Sequence, residues 1–523
     1  MARRYSDVER ANLRWFVADD SVATLRAITI RSGEVRGLKK STFQFDYPIT
    51  AIAGKNGCGK STVISLAACA FHNKKNGWHL PDRKTSYYTF SEFFIQAHGE
   101  RPLDGIHIRY QIHHDNWLPS PGMPEGRGIG WQSSIKRRGG RWTDYDNRVD
   151  RPVAYFGIER VVPSSEKSVF RSYRHNFSVS ERSGFEEAVC RSVSRVLGVP
   201  YDIFEFRSHG KYRLPWVQRR QGAGYSGFNM GAGEKALFEF FAAILSAPKG
   251  ALFLVDEIEL GLHDEAQASL IRVLSDLCID RHIQIICTTH SAVVLSALPP
   301  EGRMFIESSA SGISVIPGIS SKFASGKLSG KNSSELTVYV EDAVAAQLLA
   351  AVLQMEQRSR IDIVPIGSHA AVVSAMAARF KDARLGAAIC FLDGDQRAAK
   401  RAHVKKFIGA CESRDGAKEW FEARLFFLPG NSSPEVEVLS RLREIESDSV
   451  EKKFGCPSNH LFDAIDNSLL QGDHNEMILF ARAIHQDRHL AWRDCCNLLQ
   501  EHDGELFDSI REPIEEALKQ NAT

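Results

Sequence analysis

The sequence predicts an α/β protein of two unequal domains with a helical C-terminal region. Three observations predict it. The apolar run ITAIAG (49–54) enters a glycine-rich turn and then the apolar, helix-length segment TVISLAACAF. From residue 231 to about 317, helix and buried-strand patterns alternate, and one strand, ALFLV (251–255), ends in Asp256-Glu257. After a polar segment, two further apolar strands end in carboxylates: LTVYV (336–340) before Glu341-Asp342, and AAICFL (387–392) before Asp393-Gly394-Asp395. Buried strands alternating with helices are the pattern of parallel sheets covered by helices.

The length of 523 residues fits two or three domains of ~100–200 residues each. With 43% hydrophobic and 25% charged residues, wholesale disorder is excluded. No uninterrupted apolar run approaches the ~18–20 residues that span a bilayer. The opening MARRYSDVERANLRWF has no apolar signal core, so a cytoplasmic protein with no membrane partner is expected. The ten cysteines are scattered, without CxxC or Cys/His zinc spacing, and read as free thiols in a reducing compartment. A net charge of +2 neither proposes nor excludes a nucleic-acid partner; any such surface has to be local.

Along the chain, residues 1–22 read as a helical extension, and ATLRAITI and VRGLKKSTFQFD as two antiparallel strands before the buried one. Residues 75–228 are an insertion with two basic stretches. One holds Lys136, Arg137, Arg138, Arg141, Arg148 and Arg151 around Trp142 and Tyr145; the other holds Arg207, Lys211, Arg213, Arg219 and Arg220 beside Trp216. The first domain is placed at 1–320, a linker at 321–334, the second domain at 335–440, and the helical region at 441–523.

Gly54-Lys55-Asn56-Gly57-Cys58-Gly59-Lys60-Ser61-Thr62 fits G-x-x-x-x-G-K-[ST] between a strand and a helix. Backbone N–H groups at Asn56, Gly57 and Gly59 can turn inward around phosphates, with Thr62 in the first helical turn. Lys60 can reach the β/γ-phosphates, and Ser61 can offer a hydroxyl to Mg²⁺. Asp256 suits a Mg²⁺ role, and Glu257 the polarisation of an attacking water. Gly231, Gly233 and Glu234 form a second helix-opening turn able to face a phosphate. His290 ends another buried strand, where a γ-phosphate sensor is expected.

That order resembles the ABC-type ATPase superfamily, in its RecF/SMC/OLD-like branch. GKNGCGKST is similar to its Walker A, GAGEKAL to its signature, LFLVDE to its Walker B, TTHS to its switch histidine, and EIELGLHDEAQ to its D-loop stretch. The resemblance covers residues about 22–317. It implies ATP as cofactor, sandwiched between one subunit's P-loop and its partner's signature, and hence a homodimer or higher homo-oligomer. The signature's usual Ser is Gly231 here, which removes a hydroxyl given to the γ-phosphate. Gln96 is the candidate Q-loop residue.

In the second domain, Glu341, Asp393 and Asp395 at strand ends can converge at the carboxyl edge of a parallel sheet, where hard oxygen ligands suit Mg²⁺ or Mn²⁺. The set resembles a TOPRIM fold over about 335–440; Glu435, after LPG and Pro434, is a further metal candidate, and Asp342 stands where most TOPRIM domains carry Gly. An ABC-type ATPase joined to a TOPRIM-like domain resembles the OLD nuclease family and the ATPases of anti-phage systems such as Gabija, Septu and some retrons. The resemblance implies an ATP-gated, metal-dependent DNA nuclease. Two alternatives stand beside it. One is a regulatory ATPase controlling a separate HNH nuclease, or working with a retron reverse transcriptase and its DNA. The other is a RecF-like clamp that binds DNA without cutting.

Overall fold

A computed structural model of the chain describes residues 5–74, 77–100, 103–142, 147–309, 312–328, 334–382, 386–411, 415–471 and 475–521. The chain divides into two compact units, residues 3–331 and 332–523.

In the first unit, the helix Asp7–Ala18 is opened by a capping box, with Glu9 N–H donating to Ser6 Oγ (3.2 Å) and Ser6 N–H to Glu9 Oε2 (2.8 Å). Strands β1 (Thr24–Ser32) and β2 (Ser41–Gln44) pair antiparallel and lead into β3 (Ile49–Gly54). Strands β4 (Ile106–His114) and β5 (Gly128–Lys136) extend that pair into a sheet ordered β2-β1-β4-β5. Strand β6 (Val153–Phe156) follows. Strands β7 (Ser178–Val179), β8 (Tyr201–His209), β9 (Tyr212–Arg219) and β10 (Gly224–Ser226) form a second antiparallel sheet. Strands β11 (Leu252–Val255), β12 (Gln284–Thr289), β13 (Arg303–Ser309) and β14 (Gly312–Pro317) complete a central sheet ordered β14-β13-β3-β12-β11-β6. All its neighbours are parallel except β13 and β14.

The central strands are buried at every position because both sheet faces are covered, as expected of continuous apolar runs in parallel sheets. Alternate residues feed separate cores. Ala51, Phe253 and Ile285 pack with the helices Ala232–Ser246 and Asp264–Arg281, while Ile52, Leu254 and Ile286 pack with the helix Lys60–Ala68. The expected linker differs: residues Ser321–Leu328 form a helix whose Phe323 and Ala324 are buried in the first unit's core. Its polar residues disguise a short apolar face. The rest of that segment, 329–333, lies outside the described residues.

In the second unit, β15 (Leu336–Val340), β16 (Ile361–Pro365), β17 (Ala388–Leu392) and β18 (Leu425–Phe427) form an all-parallel sheet ordered β16-β15-β17-β18. One face is covered by the helices His369–Lys381 and Lys400–Ala410, through Val372, Met376 and Phe407. The other is covered by Ala343–Val352 and by the C-terminal helices, whose Trp492, Cys495, Cys496, Leu499 and Ile514 share a core with Val338 and Phe391. The helical region after residue 440 is therefore part of this unit's core rather than an appendage. All ten cysteines are free thiols. Among the described residues no helix is long and apolar enough to cross a membrane.

Candidate nucleotide and metal sites

The strand order β3-β12-β11 places the carboxyl ends of three parallel strands side by side, and each ends in residues singled out by the sequence. At the end of β3 the P-loop turns through Gly57 (φ 79°) and Gly59 (φ 100°) into the helix beginning at Lys60. Gly59 has both a left-handed backbone and the Leu38 side chain packed where a Cβ would stand, so only glycine fits. Lys60 is buried, and its Nζ donates to the carbonyls of Gly54 (2.8 Å) and Lys55 (3.2 Å). Asn56 and Gly57 are exposed in the turn, and Thr62 is buried.

Asp256, at the end of β11, joins the three strands. Its Oδ1 accepts from Ser61 Oγ of the P-loop helix (3.2 Å) and from Thr288 Oγ1 of the intervening β12 (2.6 Å). A hydroxyl beside a carboxylate is a hard-oxygen donor set that fits Mg²⁺. Glu257 follows in a left-handed conformation (φ 50°), an unfavourable state for a residue with a Cβ. It is held from both sides. Its N–H donates to Thr288 Oγ1 (2.8 Å), and its carbonyl accepts from Arg160 Nη2 (2.5 Å). Arg160 also holds the Asp256 and Gly157 carbonyls through Nη1 (2.5 and 3.1 Å). His290 sits one residue past β12, its N–H donating to Glu259 Oε1 (2.6 Å). Sequence reasoning missed Arg160, Thr288 and Glu259. The signal for Arg160 is present: YFGIER is an apolar strand running into a charged pair, as LFLVDE is.

The turn at Gly231 opens the helix Ala232–Ser246, with Gly231 as its cap. Gly233 lies so close to the backbone of Gly261, in the segment after Asp256-Glu257, that a Cβ there would meet the Gly261 carbonyl. Glu234 points back to the inserted sheet. Its Oε1 accepts from Tyr201 Oη of β8, Tyr225 Oη of β10 (2.5 Å) and Arg219 Nη2 of β9 (3.0 Å), and its Oε2 from the Gly231 N–H (3.3 Å). Burial raises the Glu234 carboxyl, but the bonds from Tyr201, Tyr225 and Arg219 outweigh it and hold the group below its ordinary value. Burial and the same carboxylate push the Tyr225 hydroxyl up to about 12.

In the second unit, Glu341 follows β15 and Asp393 follows the neighbouring β17, and the Asp393 N–H donates to Glu341 Oε1 (2.9 Å). Burial, then the charges of Glu341, Asp342, Asp395 and Glu435, push the Asp393 carboxyl up to about 8. Burial also raises Glu341 and Glu435. Asp393 Oδ1 is buried without a hydrogen-bond partner. Asp395 is exposed, and Glu435 is buried in the first turn of the helix Pro434–Leu442. The crowded carboxylates and the orphaned oxygen fit a divalent cation by donor chemistry. Among the described residues, no three His, Cys, Asp or Glu side chains already stand at metal-holding spacing. Asp342 is occupied as a helix cap, accepting from the Val344 and Ala345 N–H groups at 2.9 Å.

The basic stretches are only partly what their sequence promises. Arg148 and Arg151 are buried; Arg148 lies over the Phe90 ring, and Arg151 donates to the Gly250 carbonyl and Gln284 Oε1, both at 2.8 Å. Lys136 pairs with Asp104, Arg220 with Asp202, and Arg219 with Glu234. Trp142 stacks on Phe90, and Tyr145 lies outside the described residues. Arg137, Arg138 and Arg141 are exposed, as is Gln96.

Residues 132–296 match the family model described as "AAA domain, putative AbiEii toxin, Type IV TA system". No curated protein matches the chain. Solved structures similar to it include the SMC head domain from Thermotoga maritima, at 14% identity over 56% of this chain and 98% of that one, with a TM-score of 0.34. Another is an Smc head domain with an extended coiled coil bound to the C-terminal domain of ScpA, derived from Pyrococcus furiosus. It shares 14% identity over 56% of this chain and 96% of that one, also with a TM-score of 0.34. The family match spans part of the first unit, and the β3-β12-β11 edge brings the P-loop, Asp256-Glu257 and His290 side by side.

Proposed function

We propose that the protein is a cytoplasmic ATPase of an anti-phage defence system, in which ATP binding gates DNA cleavage by the second unit. The reading rests above all on Asp256. Its Oδ1 is shared by Ser61 and Thr288, the arrangement that would hold Mg²⁺ beside a phosphate chain cradled by the P-loop. Bound there, Mg²⁺ supplies charge neutralisation on the β- and γ-phosphates. Lys60 neutralises phosphate charge, Glu257 orients and deprotonates the attacking water, and His290 contacts the γ-phosphate. Gly231, Gly233 and Glu234 present helix N–H groups to nucleotide held by a second copy of the chain, so the working form is a homodimer or larger.

In the second unit Glu341, Asp393, Asp395 and Glu435 would hold a divalent cation, Mg²⁺ or Mn²⁺, which supplies water activation and phosphodiester charge stabilisation. The partnerless Asp393 Oδ1 among raised carboxylates supports this assignment. The test is ATP hydrolysis and plasmid nicking by the purified full-length protein in Mg²⁺ or Mn²⁺. Loss of nicking in Asp393→Ala/Asp395→Ala with ATP hydrolysis intact is the expected result. Intact plasmid at every ATP and metal concentration overturns the nuclease half.

A second reading is a regulatory ATPase whose TOPRIM-like unit is a scaffold for a separate nuclease. It is favoured by the lack of three preassembled ligand side chains among the described residues. Phage protection that survives Asp393→Ala/Asp395→Ala selects it.

A further inference from the structure

The β8–β9 hairpin has two chemically distinct ends. At its open end Tyr201 pairs with Arg219, and both reach Glu234 of the helix Ala232–Ser246. At its closed end, eight residues along β8 and roughly 25 Å away by strand rise, His209 pairs with Tyr212 beside the segment 168–177. There the aromatic rings gather. Tyr173 lies 4.6 Å from His209 and 6.1 Å from Tyr212, while Phe170 lies 5.7 Å from Tyr212. Tyr173 is 39% exposed although it sits in a ring cluster.

The cations at this end differ from those of the basic stretches already accounted for. Arg171, Arg174 and Lys211 are exposed, and none makes an ion pair among the described residues. Residues 167–182 carry four Lys or Arg (Lys167, Arg171, Arg174, Arg182) against the single acid Glu181. Lys211 Nζ lies 5.4 Å from the Tyr212 ring centre and Lys167 Nζ 5.9 Å from that of Phe170.

We propose that this face binds single-stranded nucleic acid, stacking bases on Tyr173 and Tyr212 and holding phosphates with Arg171, Arg174 and Lys211. An exposed ring, Tyr173, and a half-buried one, Tyr212, interleaved with unpaired cations suit an unpaired strand, because its bases offer free π-faces. A duplex hides those faces, so a duplex-tracking surface needs cations alone. The choice of nucleic acid as partner rests on the DNA-directed reading above; within the first unit the site stands at the opposite end of the hairpin from Glu234.

The test is fluorescence anisotropy of full-length protein with an oligothymidine of about 20 nucleotides, longer than the ~4–16 nucleotides such sites cover. Tyr173→Ala/Tyr212→Ala is expected to weaken binding about tenfold or more, with Tyr173→Phe/Tyr212→Phe restoring it. Arg171→Ala/Arg174→Ala, at two exposed positions, is expected to lower the salt slope by about 1.4, from ~0.7 per phosphate contact. Unchanged affinity in both alanine pairs, equal competition by duplex of the same length, or stronger competition by an acidic peptide overturns the proposal. ATP hydrolysis and plasmid nicking are read separately, so either reading can fail without the other.

Discussion

Arg160 Nη2 donates to the carbonyl of Glu257 at 2.5 Å, and Lys235, one residue after Glu234, donates through Nζ to the carbonyl of Arg160 at 3.5 Å. The residue proposed to orient water is thus held by an arginine that is itself tied to the helix Ala232–Ser246 of the same chain. Burial disfavours the Arg160 charge, while Asp256, Glu259 and Glu257 support it.

Arg160 is a positioning residue on this geometry. Arg160→Ala is expected to lower kcat for ATP hydrolysis on the order of 10²-fold, the cost of a small displacement of a reacting group. ATP affinity, measured by equilibrium binding, is expected to stay within about twofold, because the P-loop is untouched. Arg160→Lys, which restores one donor, is expected to recover part of the loss. An equal fall in affinity and kcat would mean that the P-loop side had collapsed.

Glu257→Gln separates binding from turnover more sharply. It keeps side-chain volume and removes the base, so hydrolysis is expected to fall ~10²–10⁴-fold while bound ATP accumulates. Light scattering is then expected to show a larger particle with ATP than without it. Lys60→Ala, by contrast, is expected to lose ATP binding itself.

The Glu234 cluster gives a pH signature. Its folded carboxyl lies below the ordinary 4.5, so its contribution to stability is complete above about 4.5 and is lost as pH falls through the lower folded value. The thermal midpoint of Glu234→Gln is expected to lie below that of the wild type at pH 7, with the gap closing as pH drops below 4.5. A gap independent of pH would show that Tyr201, Tyr225 and Arg219 do not depend on the charge.

Asp393 titrates in the opposite sense. Its carboxyl is raised from 3.8 to about 8, so the stability that its protonated form contributes declines as pH rises above 3.8 and is gone beyond about 8. Asp393→Asn is therefore expected to raise the thermal midpoint most at pH 8–9 without metal. A cation held by these carboxylates displaces the proton, so calorimetry in two buffers of different ionisation heat is expected to show proton release below pH 8. Chelation with EDTA is expected to restore the metal-free midpoint.

Much of the first unit is legible in its sequence because its chemistry is local. A P-loop is one continuous segment, and β3, β11 and β12 are apolar throughout since both sheet faces are covered. Arg160 is not legible in the same way, because its importance comes from meeting two carbonyls 96 and 97 residues away. The basic stretches mislead for a related reason. Arg148, Arg151 and Arg219 read as surface cations, yet burial, stacking and Glu234 claim them, and those partners lie on other elements. In the second unit the carboxylates at strand ends are visible as a pattern. The hydrogen bond joining Asp393 to Glu341 depends on β15 and β17 being neighbours, which no spacing along the chain states.

The shared core of β15, β17 and the C-terminal helices limits how this protein can be divided. A fragment ending near residue 440 would carry every carboxylate proposed to hold a cation but would leave Val338, Val340 and Phe391 without the cover of Trp492, Leu499 and Ile514. Such a piece is expected to aggregate on expression. Domain swaps, truncation series and recombination between homologues would have to keep residues 334–521 together, so the acidic centre is inherited with its helical cover or not at all.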